Sequence, residues 1–269
     1  MSMILSMNDL KSKKTILIVA HPDDEILWFS SVVDKINEII FCFHSSHAKP
    51  HLSLTRDQLM NNKPYDNLYS LKIPQSDTFG SANWATPLFN KYGIKIKNSK
   101  KAKNYKNNYN RLLVDLNRIV QNYETVITHN PWGDYGSEEH VQIYRVLDEL
   151  QGKYNYELYF TNYVSNKSLL AMTKYMGMLD NAHFSLPVNN HKYNEVKRIY
   201  EKCGCWTWYK DWIGFENEIY ISNKKSYISK NKISLNYINI HNNSKKPSSF
   251  LEFTRKSARQ VFKWLHLTR

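Results

Sequence analysis

Between positions 20 and 25 the chain reads Ala-His-Pro-Asp-Asp-Glu, one imidazole and three carboxylates within five residues. Imidazole and carboxylate without thiolate suit Zn²⁺ or another divalent ion of borderline hardness. Pro22 biases His21 away from helical geometry. Asp23 and Asp24 also have a purely structural reading, as N-caps that compensate a helix dipole. A second stretch, residues 128–140 (THNPWGDYGSEEH), ends on His140. With the first stretch, His140 completes a three-ligand set, and three protein ligands leave a position for water, as catalytic zinc requires. A carboxylate beside that water can take its proton and pass it to a leaving group.

For these residues to meet, the fold must carry both stretches to one edge of a sheet. Thr15–Ala20 (TILIVA) is a short, β-branched apolar run and reads as a buried parallel strand. Asp23 or Asp24 starts a helix expected to continue through residues 25–37, and Ile39–Phe43 is a second strand, giving a right-handed βαβ unit. Helices are expected over Leu54–Met60, Tyr65–Leu71, Asn110–Gln121, Glu138–Leu150, Ser168–Leu179 and Tyr193–Lys202. Strands are expected over Thr125–His129 and Glu157–Val164. This alternation predicts one α/β domain with a Rossmann-like, mostly parallel sheet and flanking helices. Ligands in such sheets bind beyond the carboxyl ends of the strands, where both stretches fall. The catalytic domain is expected over residues 1–222, followed by a basic extension over 223–269 with an amphipathic helix.

The two stretches resemble the zinc-dependent de-N-acetylase family that includes N-acetylglucosaminyl-phosphatidylinositol deacetylase and the LmbE-like bacterial enzymes. Residues 20–25 match its first signature without a change, and residues 128–142 (THNPWGDYGSEEHVQ) are similar to its second, which reads G-[ED]-Y-G-H-x-x-H. Lys197–Trp208 (KRIYEKCGCWTW) is similar to a late motif of some bacterial members. The resemblance spans about residues 13–210 and implies an LmbE-like fold, Zn²⁺ as cofactor and hydrolysis of the acetamide of an N-acetylated amino sugar. It implies His21, Asp24 and His140 as metal ligands, Asp23 as general base and Tyr135 as oxyanion donor. Arg56 matches a substrate-binding arginine, and Trp132, Asp134, Ser137 and His129 join it as candidate substrate contacts.

Ser137 departs from the family pattern, which has His there. Serine cannot act as an efficient general acid at neutral pH. Three outcomes are open: another histidine substitutes (His129, His183 or His191), Asp23 performs both proton transfers with Tyr135 as oxyanion donor, or the chain is impaired and serves as a sugar- or membrane-binding protein.

The composition narrows the partners. Among 269 residues, 37 Lys and Arg face 24 Asp and Glu, a net charge of +13. Residues 91–111 carry +8 and residues 245–269 carry +6, which leaves the remaining chain nearly neutral. The first basic segment reads as a mobile insertion near the active-site edge, or as a solvated helix face. The second reads as a basic amphipathic helix that lies on an anionic membrane or docks on its own domain. An amino-sugar substrate that is lipid-linked or phosphate-bearing fits the same charge. No nucleic-acid-binding motif accompanies it, which argues against nucleic acid. Three cysteines (Cys42, Cys203, Cys205) exclude a disulfide framework, and the C-x-C pair alone is a poor zinc site. No apolar run reaches the roughly 20 residues of a membrane span, and the N-terminus lacks a signal-peptide pattern. These features point to a cytoplasmic protein, with peripheral contact at the inner membrane face as the further expectation. Trp206, Trp208, Tyr209 and Trp212 form an aromatic cluster that reads as a sugar-stacking platform or as packing material.

Overall fold

Strand β1 (Thr15–Val19) is buried along its whole length. Its side chains alternate between two apolar layers, Ile16 and Ile18 in one, Leu17 and Val19 in the other, as the two-residue period of a strand requires. The structure, a computed structural model, describes residues 12–224 and 233–240. The other strands are β2 (Glu38–Phe43), β3 (Leu68–Ile73), β4 (Phe89–Asn90), β5 (Gly93–Ile94), β6 (Thr125–Thr128), β7 (Glu157–Thr161), β8 (Tyr163–Ser165), β9 (His183–Pro187), β10 (Asn217–Ser222) and β11 (Asn236–Ile238). Seven of them form one sheet in the order β3-β2-β1-β6-β7-β10-β9. The first five run parallel, and β10 runs antiparallel to both of its neighbours. The architecture is therefore the expected α/β fold with a mostly parallel, helix-flanked sheet.

The helices are α1 (Asp24–Trp28), α2 (His51–Asn61), α3 (Ser99–Val120), α4 (Glu138–Tyr154), α5 (Leu169–Met172) and α6 (Asn190–Cys203). Helix α3 buries Tyr105, Tyr109, Leu112, Leu116 and Val120 beside α4 in the layer that holds Ile16 and Ile18. Helices α1 and α6 fill the opposite layer with Trp28, Tyr193, Val196 and Tyr200. Registers place Ile18 of β1 opposite Thr128 of β6. Ala20–His21 and His129–Asn130 therefore leave the sheet side by side, at its carboxyl edge. No helix among the described residues is long and apolar enough to cross a membrane.

Several elements differ from expectation for identifiable reasons. Helix α1 stops at Trp28 rather than running to residue 37. Glu218 of β10 takes the N–H groups and hydroxyls of Ser30 and Ser31, at 2.5–3.0 Å, and also the Tyr220 hydroxyl at 2.7 Å. A carboxylate from a distant strand thus claims donors that helix continuation needs. Residues 68–71, the end of the helix expected over Tyr65–Leu71, belong to β3 instead, because the open edge of β2 offers a ladder of partners. The basic segment 91–111 is not a mobile insertion. It holds β5, which pairs with β4 just before the segment, and the first turns of α3, capped by Asn98, whose side chain accepts from the Lys101 N–H. Strands β9 and β10 were not expected. Residues 233–240 return to the body, where β11 pairs in parallel with β8, and the basic C-terminal helix candidate at 245–269 lies outside the described residues. Changing Glu218 to Ala strands five buried donors and is expected to cost about 3 kcal/mol in urea denaturation, with Glu218→Gln recovering part of the loss.

Candidate metal centre and cleft

The turn after β1 is held in an uncommon conformation. Asp23 has φ of 91°, a left-handed value that a short polar residue tolerates better than most. Its Oδ2 accepts the N–H of Thr207 at 2.7 Å and the Thr207 hydroxyl at 2.6 Å. Asp24 opens α1 and is fixed at both oxygens, with Oδ2 accepting the His21 N–H at 2.7 Å and Oδ1 accepting the Trp28 indole N–H at 3.0 Å. Strain of this kind persists only where surrounding bonds over-determine it, and it clusters at functional sites.

The loop after β6 is as tightly specified. The Asn130 amide donates to the carbonyls of Thr161 and Tyr163, and its oxygen accepts the Asp134 N–H at 2.8 Å. Gly133 has φ of 77°, and a side chain there would stand 2.5 Å from the Ser137 carbonyl oxygen. Ser137 then caps α4, its side chain accepting the His140 N–H. The cap points the first turn of α4 at the α1 turn.

His21, Asp24 and His140 converge, with one ligand atom from each lying within 4.8 Å of the others. Asp24 Oδ2 is 3.2 Å from His21 Nδ1 and 3.2 Å from His140 Nε2. Asp134 Oδ2 lies 2.8 Å from His140 Nδ1 and 2.6 Å from His129 Nδ1. The His140 Nδ1–H is thereby committed to Asp134, and Nε2 is left buried without a hydrogen-bond partner. A buried orphan nitrogen beside a carboxylate and a second imidazole fits a divalent cation, and the donor set of two nitrogens and one oxygen suits zinc.

The charges of this cluster balance one another. Burial pushes the His21 imidazolium down, but Asp24 and Glu139 outweigh it and hold the group up at about 9. Burial likewise opposes charge on His140, and Asp24 and Asp134 raise it. Asp24 is driven up by burial yet held well below the usual carboxylate range by His140 and the imidazoles around it. Asp23 has no such cation beside it, and burial with the Asp24 charge pushes its carboxyl up to about 7. Metal binding at such a site releases protons from the imidazoles.

A cleft of about 300 Å³ opens beside the cluster. His21, Tyr135, Ser137 and Arg56 line it, as do Glu139, Gln75, Lys49, Lys101, Phe79, Thr207 and Trp208. Asp23 stands in contact with the lining residue Thr207 and is 2% exposed. Arg56 is buried, donates to the His44 carbonyl at 2.9 Å and leaves its Nε without a partner. Tyr135 packs edge-on against His140, and burial lifts its hydroxyl well above the ordinary range, so it stays a donor. Lys167 donates to the Gly136 carbonyl and sits 4.1 Å over the Phe79 ring, bracing that rim.

Three of the expected substrate contacts stand behind the cleft instead. Trp132 donates its indole N–H to the Tyr163 carbonyl at 2.6 Å and packs on Phe160. Asp134 serves the two imidazoles, and His129 accepts the Ala20 N–H at 2.9 Å while donating to Asp134. All three have 0% exposure, because the loop that carries them closes over the end of β6. Nor, among the described residues, does any of the three candidate histidines stand in the place of Ser137. His129 is bonded at both nitrogens, His183 lies on the edge strand β9 near the Asn181 carbonyl, and His191 lies on α6 outside the cleft lining. Glu139 was missed, although its place directly before His140 in the sequence was a signal. The aromatic cluster divides: Trp208 lines the cleft, while Trp212 is buried against Trp28.

No protein-family model matches the chain. Its sequence is similar to uncharacterized protein L374 of Acanthamoeba polyphaga mimivirus, 23% identical over 196 residues, which is 67% of this chain and 76% of that protein. Among solved structures it is similar to a deacetylase–teicoplanin complex from the biosynthesis pathway of teicoplanin, with a TM-score of 0.48 and 9% identity over 77% of this chain and 97% of that one. It is also similar to the zinc-inhibited form of teicoplanin deacetylase Orf2, with a TM-score of 0.49 and 10% identity over the same shares. Changing Asp134 to Asn removes the charge that holds both imidazoles. Zinc affinity, read by competition with a chromophoric chelator, is expected to fall about 10- to 100-fold with the far-UV dichroism unchanged.

Proposed function

We propose that this chain is an LmbE-like, metal-dependent hydrolase that removes the acyl group from an N-acetylated amino sugar of the N-acetylglucosamine type. The observation that carries the reading is the orphaned His140 Nε2 facing His21 and Asp24, at the place where the Ala-His-Pro-Asp-Asp-Glu signature folds. His21, Asp24 and His140 would hold the ion, with Zn²⁺ the first choice and another divalent metal the second. When bound, a divalent cation there polarises the acyl carbonyl and lowers the pKa of water toward neutrality.

The rest is work for the chain's own groups. Thr207 orients Asp23 through Oδ2, while Oδ1 takes no bond from the described residues. Asp23 takes a proton from the attacking water and returns it to the departing amine. Tyr135 donates its hydroxyl hydrogen to the developing oxyanion. Arg56, Lys49 and Lys101 supply positive charge along the cleft, and Phe79, Tyr135 and Trp208 supply apolar surface for a sugar ring. This mixture supports a lipid-linked or phosphate-bearing amino sugar. Contact with an anionic membrane through residues 245–269 is a separate part of the proposal.

Ser137 favours one alternative: a member that binds sugar without turning it over. The zinc-loaded protein is expected to release acetate and free amine in equal amounts from N-acetylglucosamine glycosides. Asp23→Asn keeps the left-handed turn and the bonds to Thr207, so it should retain zinc while the rate falls about 10²- to 10⁴-fold. Sugar binding without acetate release by the zinc-loaded protein would establish the alternative. Loss of zinc in Asp23→Asn would exchange the roles of the two aspartates.

A further inference from the structure

Glu139 touches the metal cluster and has no role in the reading above. Its Oε2 is 2.8 Å from His21 Nε2. Its Oε1 accepts both the N–H and the hydroxyl of Ser76, each at 2.6 Å, and the Gln75 amide approaches Oε2 at 3.4 Å. The carboxylate is thus pinned by a backbone donor, and as an ionised group it can only accept.

We propose that Glu139 is a positioning residue that sets the tautomer of His21: it accepts the Nε2–H and so leaves the Nδ1 lone pair as the ligand atom. This inference rests on the metal-holding part of the preceding reading and is independent of hydrolysis. A neutral imidazole carries one N–H. With that hydrogen committed to Glu139, Nδ1 presents its lone pair 3.2 Å from Asp24 Oδ2, on the side where His140 presents its orphaned Nε2.

The geometry has a counterpart on the other ligand. His140 gives Nδ1–H to Asp134 and presents Nε2, whereas His21 gives Nε2–H to Glu139 and presents Nδ1. Opposite tautomers in one centre need two separately placed carboxylates. Because Glu139 and His140 are adjacent in the first turn of α4, that turn supplies one ligand and the group that orients the other. Ser76, in the segment after β3, then ties the placement of His21 to an element that carries no ligand.

The test measures zinc affinity by chelator competition on the full chain, with long-range ¹H–¹⁵N spectra of the histidines in the zinc-loaded protein. Wild type should show His21 protonated at Nε2. Glu139→Gln, whose amide oxygen can still accept, should keep that pattern and stay within about 10-fold in affinity. Glu139→Ala should lose about 10- to 100-fold and the slowly exchanging Nε2–H. Should Glu139→Ala fail to fold, Ser76→Ala, which removes one of the two Ser76 donors that hold Oε1, should weaken zinc binding several-fold. Protonation of His21 at Nδ1 in wild type, or unchanged affinity in Glu139→Ala, would overturn the inference alone. Zinc binding without acetate release would overturn hydrolysis and leave it standing, and a wild type that binds no zinc would overturn both.

Discussion

Three imidazoles close on Asp24 Oδ2, those of His21 and His140 at 3.2 Å and that of His129 at 3.5 Å. An uncompensated buried carboxylate would be costly by several kcal/mol. The imidazoles of His21 and His140 are what let the Asp24 carboxylate sit beneath the surface, while Asp23 is held by Thr207 and Glu25 by the Tyr200 hydroxyl. The compensation is local and directional, with each histidine held by a second acceptor or donor on its far nitrogen. Shape and charge therefore depend on the same few bonds, and a shift of either turn disturbs both.

Two supports keep the turns in place. Glu218, on an antiparallel strand near the far side of the sheet, gathers Ser30 and Ser31 and cuts α1 to five residues. The short helix turns the chain back early and lets Trp28 stand against Tyr135, Tyr163, Trp208 and Trp212. The second support is the loop from Asn130 to Ser137, whose left-handed residues Gly133, Asp134 and Gly136 fold it under α4. Both are rigid, hydrogen-bonded structures. A site that needs fixed ligand positions gains from such a frame, because little reorganisation is left for the moment of binding.

Chemistry was legible where it is written as a contiguous string. Residues 20–25 and the end of the second stretch named the three converging groups, because neighbours in sequence must stay neighbours at a strand end. The strands β1, β2, β6 and β7 were legible from buried apolar runs, since a parallel strand covered on both faces has to be apolar throughout. Periodicity failed for β3, whose residues also fit a helix, and for β9 and β10, whose pairing is decided by partners far along the chain. The basic run at 91–111 misled for a similar reason. Lys91, Lys95 and Lys97 precede α3, Lys100, Lys103 and Lys106 lie exposed on it, Lys101 lines the cleft, and the buried Tyr105 and Tyr109 carry the packing.

The sequence by itself determined the ligand types, the adjacency of Asp23 and Asp24 and the alternation that builds a mostly parallel sheet. Those properties are set by residue identity and local backbone preference. Only the tertiary structure decided which groups face the cleft. It moved Trp132, Asp134 and His129 behind it, brought Thr207 to Asp23 and set Glu139 against His21. Those placements depend on hydrogen bonds between residues 31 to 184 positions apart, and such pairings are specified by the packed sheet and its loops together rather than by any one segment.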